Sequence, residues 1–165
     1  MSEEIERAIE DGETIVRGVC TPYHYDAKKK KLKKNAFKPK TPSTGVSVFR
    51  GAVMDSNACK AKAANLSGEG KAYVGLAALH AITIRATGAT VEDSRELYYG
   101  HADVFVCAGY LDAVRDHVQG DPLPPQIQEV LDDRIGRLID KAVFHLDPSP
   151  TDGGWQGPDP LLQAA

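Results

Sequence analysis

Two periods of apolar and polar positions run along this 165-residue chain, and they predict its elements. The clearest period of two spans His101–Ala108. Ala102, Val104, Val106 and Ala108 fall on one face, and His101, Asp103, Phe105 and Cys107 on the other, which predicts a strand with one core face. Thr14–Cys20, with β-branched Ile15, Val16 and Val19, predicts a second strand, and Val46–Arg50 a third. The clearest helical period runs from Pro125 to His145, where Ile127, Val130, Leu131, Ile135, Leu138, Ile139 and Ala142 recur at i, i+3 and i+4.

Weaker signals fill the gaps. Asp55–Asn65 is alanine-rich and carries a capping residue, Asp55 or Ser56, which predicts a helix. Ala72–Leu79 reads as a buried strand, followed by a helical turn over Ala81–Thr87 that Gly88 ends. Gly109–Val118 reads as a short helix, and Ser2–Ile9 as another, with acidic residues in its first turn. The pattern predicts an α+β fold with a mixed or antiparallel sheet. One domain is expected over 1–146, with a long C-terminal amphipathic helix. From Asp147 the chain reads DPSPTDGGWQGPDPLLQAA, which predicts a flexible tail over 147–165. Trp155, Leu161 and Leu162 are its apolar anchors, available to this chain or to a protein partner.

The stretch Cys20–Gly51 departs most from the periodic pattern. Apolar runs flank a charged centre, which predicts an N-terminal lysine-tipped hairpin with His24 and Arg50 at strand ends. Eight of the twelve lysines lie at 28–31, 33, 34, 38 and 40. Residues 1–90 carry 15 Lys+Arg against 9 Asp+Glu, and residues 91–165 carry 5 against 14, so the net charge of −3 hides a basic first half and an acidic second half. A solvated tip that deters edge pairing explains such a run. So does contact with a polyanion, nucleic acid or phosphate, the reading that ranks first among the functional ones. It assigns Lys28, Lys29, Lys30, Lys31, Lys33 and Lys34 to backbone phosphates and Tyr23 and Tyr25 to stacking on bases.

Composition narrows the remaining classes. The apolar share of 42% and charged share of 26% are those of an ordinary globular protein. No apolar run is long enough to span a membrane, and the acidic start is the reverse of a secretory signal, so a cytoplasmic protein is expected. Cys20, Cys59 and Cys107 are far apart, lack C-x-x-C spacing and read as buried thiols. No nucleophile elbow, H-E-x-x-H or dinucleotide fingerprint is present, and no motif specifies a cofactor or a metal.

An enzymatic alternative gathers His24, Arg50, His101 and Asp103 into one pocket. Asp103 would orient His101 as general acid or base, and Arg50 or the lysines would hold a phosphate or developing negative charge, which suits phosphodiester or nucleotide processing. A third reading is an accessory subunit that meets its partner through the tail.

Overall fold

The computed structural model describes residues 4–118 and 120–164. Its elements follow the two periods closely. Strand β1 is Thr14–Thr21, β2 Tyr25–Asp26, β3 Lys31–Leu32 and β4 Val46–Arg50. Helix α1 is Ser56–Ala64, β5 Ala72–His80, α2 Ala81–Ala86, β6 Thr90–Asp93 and β7 His101–Phe105. Helix α3 is Leu111–Val114, α4 Pro125–Lys141 and β8 Val143–Leu146. Six strands form one antiparallel sheet in the order β6-β7-β4-β1-β5-β8, and β2 and β3 form a small ribbon of their own. The protein is therefore α+β with an antiparallel sheet and one long amphipathic helix.

Strand alternation assigns the two faces. Ile15, Val48, Leu79, Ala102 and Val104 point to one side and meet Ile127, Leu131, Ile135 and Leu138 of α4. Val16, Phe49 and Leu76 point to the other, where Cys59 and Ala63 of α1 cover them. Gly18 permits that cover: a Cβ there would sit 2.8 Å from Cβ of Ala63, so only hydrogen lets α1 lie so close to β1. Asp55 caps α1 by accepting from Ala58 N–H at 2.8 Å, and Gly88, at φ 98°, ends α2 in the left-handed region.

Four expectations are corrected. The segment predicted as an N-terminal helix is not helical over 4–9, and Ser2 lies outside the described residues. The backbone carbonyls there serve arginine side chains instead. Arg95 takes Ile5 O, Arg50 takes Glu6 O and, at 3.5 Å, Ala8 O, and Arg85 takes Ile9 O. A carbonyl aimed at a guanidinium from another element is turned away from the helical i+4 amide.

The second correction is at α4, which stops at Lys141 rather than His145. Ala142 turns extended, and Val143–Leu146 pairs with the open edge of β5. An unpaired strand edge offers more backbone hydrogen bonds than another helical turn. Third, the strand from His101 ends at Phe105, three residues early.

The fourth is the tail, which folds back on the α1 side of the sheet. Lys60 Nζ donates to Ser149 O and Gly154 O, both at 2.7 Å, and pairs with Asp147 at 3.0 Å. Trp155 N–H donates to Asn57 Oδ1, and Ser56 Oγ lies 2.5 Å from Asp159 Oδ1. Trp155 and Leu161 pack against the Val16–Phe49 cluster. Apart from a 3-10 turn over Pro160–Leu162, proline and glycine leave the segment irregular, but α1 supplies polar partners that hold it. Two of its three anchors, Trp155 and Leu161, are thus engaged by this chain, and Leu162 is left exposed. Among the described residues no helix is long and apolar enough to cross a membrane.

Candidate functional site

The lysine run tips a hairpin, the β2–β3 ribbon inserted as an arm between β1 and β4. Tyr25 pairs with Leu32 and Asp26 with Lys31. Asp26 Oδ1 accepts from the Lys28 and Lys29 amides, at 3.0 Å each, and so closes the turn; these amides, Lys29 first, hold its carboxyl below the usual range. Lys30 completes the turn at φ 56°. Beyond it, Lys34–Phe37 forms a 3-10 turn that buries Ala36 and Phe37 in the α4 core. The arm is thus pinned at both ends, and all eight of its lysines are exposed. Among the described residues none of the eight forms a salt bridge.

The two tyrosines part company. Tyr23 is exposed, whereas Tyr25 is buried with its ring centroid 4.6 Å from that of Phe144. Tyr25 is a core residue and has no face free for a base, a correction to the stacking role. In a strand the alternating position decides burial, and Tyr25 drew the inner one.

A cleft of about 720 Å³ opens between the arm and the segment leading into α4. Tyr23, His24, Asn35, Lys38 and Lys40 line one wall, and His117, Asp121 and Gln128 line the other. His24 is placed by the turn that leaves β1: its amide donates to Cys20 O at 2.8 Å, and Cys20 N–H donates to its Nδ1 at 3.1 Å. Burial first, then the charges of Arg17 and Lys71, lower its pKa to about 4. Behind it stands Arg17, which donates through Nε to Ala36 O at 2.8 Å and through Nη1 to Ser47 O at 3.1 Å, with Nη2 at 3.5 Å from His24 Nε2. No described carboxylate pairs with Arg17. Burial pulls the guanidinium down to about 10, so it is still a cation at neutral pH.

Arg50 lies elsewhere and is fully occupied. It is 1% exposed, grips Glu13 through Nε and Nη2 at 2.8 and 2.7 Å, and reaches Asp93 through Nη1 at 2.8 Å. The hydrogen bonds it donates to Glu13 raise its pKa, although burial opposes them. Burial pushes the Asp93 carboxyl up, but the Arg95 and Arg50 hydrogen bonds outweigh it and hold the group well below the usual range. A larger hollow of about 780 Å³ beside this network is lined by Glu4, Glu6, Glu10 and Glu13 as well as Arg50.

His101 leaves the opposite face of the sheet from Arg50, because it is paired with Phe49, the neighbour of Arg50. The four residues His24, Arg50, His101 and Asp103 therefore do not meet in one pocket. His101 does not bond to Asp103 either, since i, i+2 positions on a strand stand about 7 Å apart. Two serines take its ring nitrogens instead: Ser94 Oγ at 2.6 Å from Nδ1 and Ser47 Oγ at 3.1 Å from Nε2. Ser47 is exposed. Among the described residues no group of three or more His, Cys, Asp or Glu side chains could hold a metal ion.

Sequence reasoning passed over Arg17 and Ser47. Each sits in a strand that reads as plain sheet, and nothing local marks Arg17 as lacking a carboxylate. Comparison of the chain with protein-family models, with curated proteins and with solved structures finds no match in any of the three.

Proposed function

We propose that the protein binds polyanions, with nucleic acid the leading candidate, along the arm that carries Lys28–Lys40. The observation that supports this is eight exposed ammonium groups on an anchored arm, with no salt bridge to a described carboxylate. Lysines paired with carboxylates would have to surrender them, whereas these have none to give up, although Lys33 Nζ also donates to Pro22 O at 2.9 Å. Binding of this kind follows counterion release and carries little sequence information. Tyr23, exposed at the mouth of the cleft, is the ring placed to stack on a base.

Fluorescence anisotropy with short RNA and DNA strands, at low and moderate salt, tests the reading. Affinity should fall steeply with salt. Changing Lys28, Lys29, Lys30 and Lys31 together to Ser should reduce the log–log salt slope by about 3 for a single strand, if each lysine meets one phosphate. Absence of binding at low salt would leave the lysines as a solvated arm.

A second, enzymatic reading is favoured by the Ser47–His101–Ser94 chain. With its proton on Nδ1 toward Ser94, His101 presents a basic Nε2 to an exposed hydroxyl, the arrangement of a nucleophile, its base and an orienting group. Ser47 Oγ would attack an acyl ester, passing its proton to Nε2 and then to the departing alcohol; water would release the acyl group. A fluorophosphonate probe should label Ser47 and should fail to label a His101→Ala variant. No label on the folded wild-type protein removes this reading.

A further inference from the structure

A conflict between two donors marks a more specific site at the foot of the lysine arm. A neutral imidazole has one N–H and one lone pair on its two ring nitrogens. Cys20 N–H donates to Nδ1, which assigns the lone pair there and the proton to Nε2. A proton on Nδ1 would collide with the Cys20 amide, so neither the other tautomer nor the imidazolium fits this turn. His24 Nε2–H then lies 3.5 Å from Arg17 Nη2, which is also a donor. The contact between them is therefore not a hydrogen bond. Both groups need an acceptor, and among the described residues neither has a carboxylate.

Both donors are held in place. Ala36 O and Ser47 O fix two nitrogens of Arg17 from separate segments, and the Cys20 amide fixes the His24 ring. One anionic oxygen within reach of both would complete them. Lys38 and Lys40 line the cleft together with His24 and add two positive charges, while Arg17 stands behind His24 and reaches it only through Nη2. Asp121 on the far wall is a lining carboxylate that opposes them. A volume of about 720 Å³ is that of a small-ligand site, large enough for a nucleotide.

We propose that Arg17 and His24 form the seat of a phosphomonoester, with Lys38 and Lys40 flanking it, so that the cleft takes a terminal phosphate. This rests on the polyanion reading and deepens it: the arm would hold a strand by its internal phosphates, and the cleft would hold its phosphorylated end. A free mononucleotide carries the same chemistry, and the two sources separate by experiment.

The test compares 5′-phosphorylated, 3′-phosphorylated and unphosphorylated strands of one sequence by anisotropy. In parallel, inorganic phosphate and a mononucleotide are titrated into ¹⁵N-labelled protein while the His24 ring resonances are followed. One phosphorylated end should bind about tenfold tighter than the bare strand, the scale of a charge-assisted hydrogen bond. His24 Nε2 should shift on titration with phosphate. His24→Asn keeps an acceptor for Cys20 N–H and deletes Nε2, so it should abolish the end preference while salt-dependent strand binding persists.

Equal affinity for all three strands, with no His24 shift in phosphate or mononucleotide, overturns the seat and leaves the polyanion reading standing. A His24→Asn variant with its preference intact also overturns it. A His24 shift in phosphate without strand binding keeps the seat, identifies a free small anion as its occupant, and sinks the polyanion reading instead.

Discussion

Arg17 and Arg50 leave the same face of the sheet, because Arg50 lies opposite Ile15 and Arg17 is two residues further along that strand. Their surroundings could hardly differ more. Arg50 meets two carboxylates and backbone carbonyls and has every donor engaged. Arg17 meets two carbonyls and a histidine that has no lone pair to offer it. A buried cation neutralised within the chain ties segments together: Arg50 joins the N-terminal segment, β4 and β6. A cation held in place but not neutralised still has attraction to spend on a ligand. That difference, rather than charge itself, separates structural basic residues from candidate binding ones here.

Removing Arg50 should have the largest effect. Arg50→Met strips buried Glu13 of its counter-charge and leaves Asp93 to Arg95 and Arg7, and should cost about 3–5 kcal/mol in urea unfolding. Adding Glu13→Gln should recover part of that, since the two residues share one network. A cost below about 1 kcal/mol would mean that Arg50 is not the tie described.

Lys60 is the equivalent tie for the tail. Its ammonium joins Asp147, Ser149 O and Gly154 O, and Tyr73 Oη donates to the same carboxylate at 2.8 Å. Lys60→Met should destabilise by about 2–4 kcal/mol and should open the tail to proteolysis. A truncation after Leu146, acceptable if the tail were loose, would instead strip Trp155 and Leu161 from the core; an unchanged melting temperature would contradict the docked tail.

Arg17→Met sharpens the contrast. It strands no carboxylate, so its cost should stay at about 1 kcal/mol, that of two lost hydrogen bonds to carbonyls offset by a smaller desolvation penalty. Parity with Arg50→Met in urea unfolding would erase the distinction.

Acid should separate the regions with the gentlest effect. Below pH 6.5 the unfolded chain protonates His24, while the folded chain resists until about 4. The unfolded state then binds more protons, so stability falls as pH drops through that window. The Arg50 network responds lower. Asp93 is depressed in the folded state, so its contribution is present above the ordinary carboxylate value of 3.8 and is lost only below it. His24→Asn should flatten the first window and leave the second, as read by chemical denaturation across pH.

Local pattern carried much of the fold. The i, i+3, i+4 spacing of Ile127, Leu131, Ile135 and Leu138 is a property of α4 alone, and the alternation from His101 is a property of β7. Asp55 before the alanine-rich run and Gly88 after α2 are local capping signals that act within one turn. The site was only half legible. The lysines and His24 stand out by composition, and the cleft forms around His24, Lys38 and Lys40. Which cation is already satisfied could not be read from the chain, because the partners are remote. Arg50 finds Asp93 across 43 positions, and Lys60 finds Gly154 across 94. The N-terminal carbonyls were taken by arginines from other elements, and the tail was captured by α1. A period repeats among neighbours and needs no fold to be visible. Electrostatic and hydrogen-bond satisfaction is a relation between distant groups in space, so only the tertiary structure decided which charges were closed and which were left open.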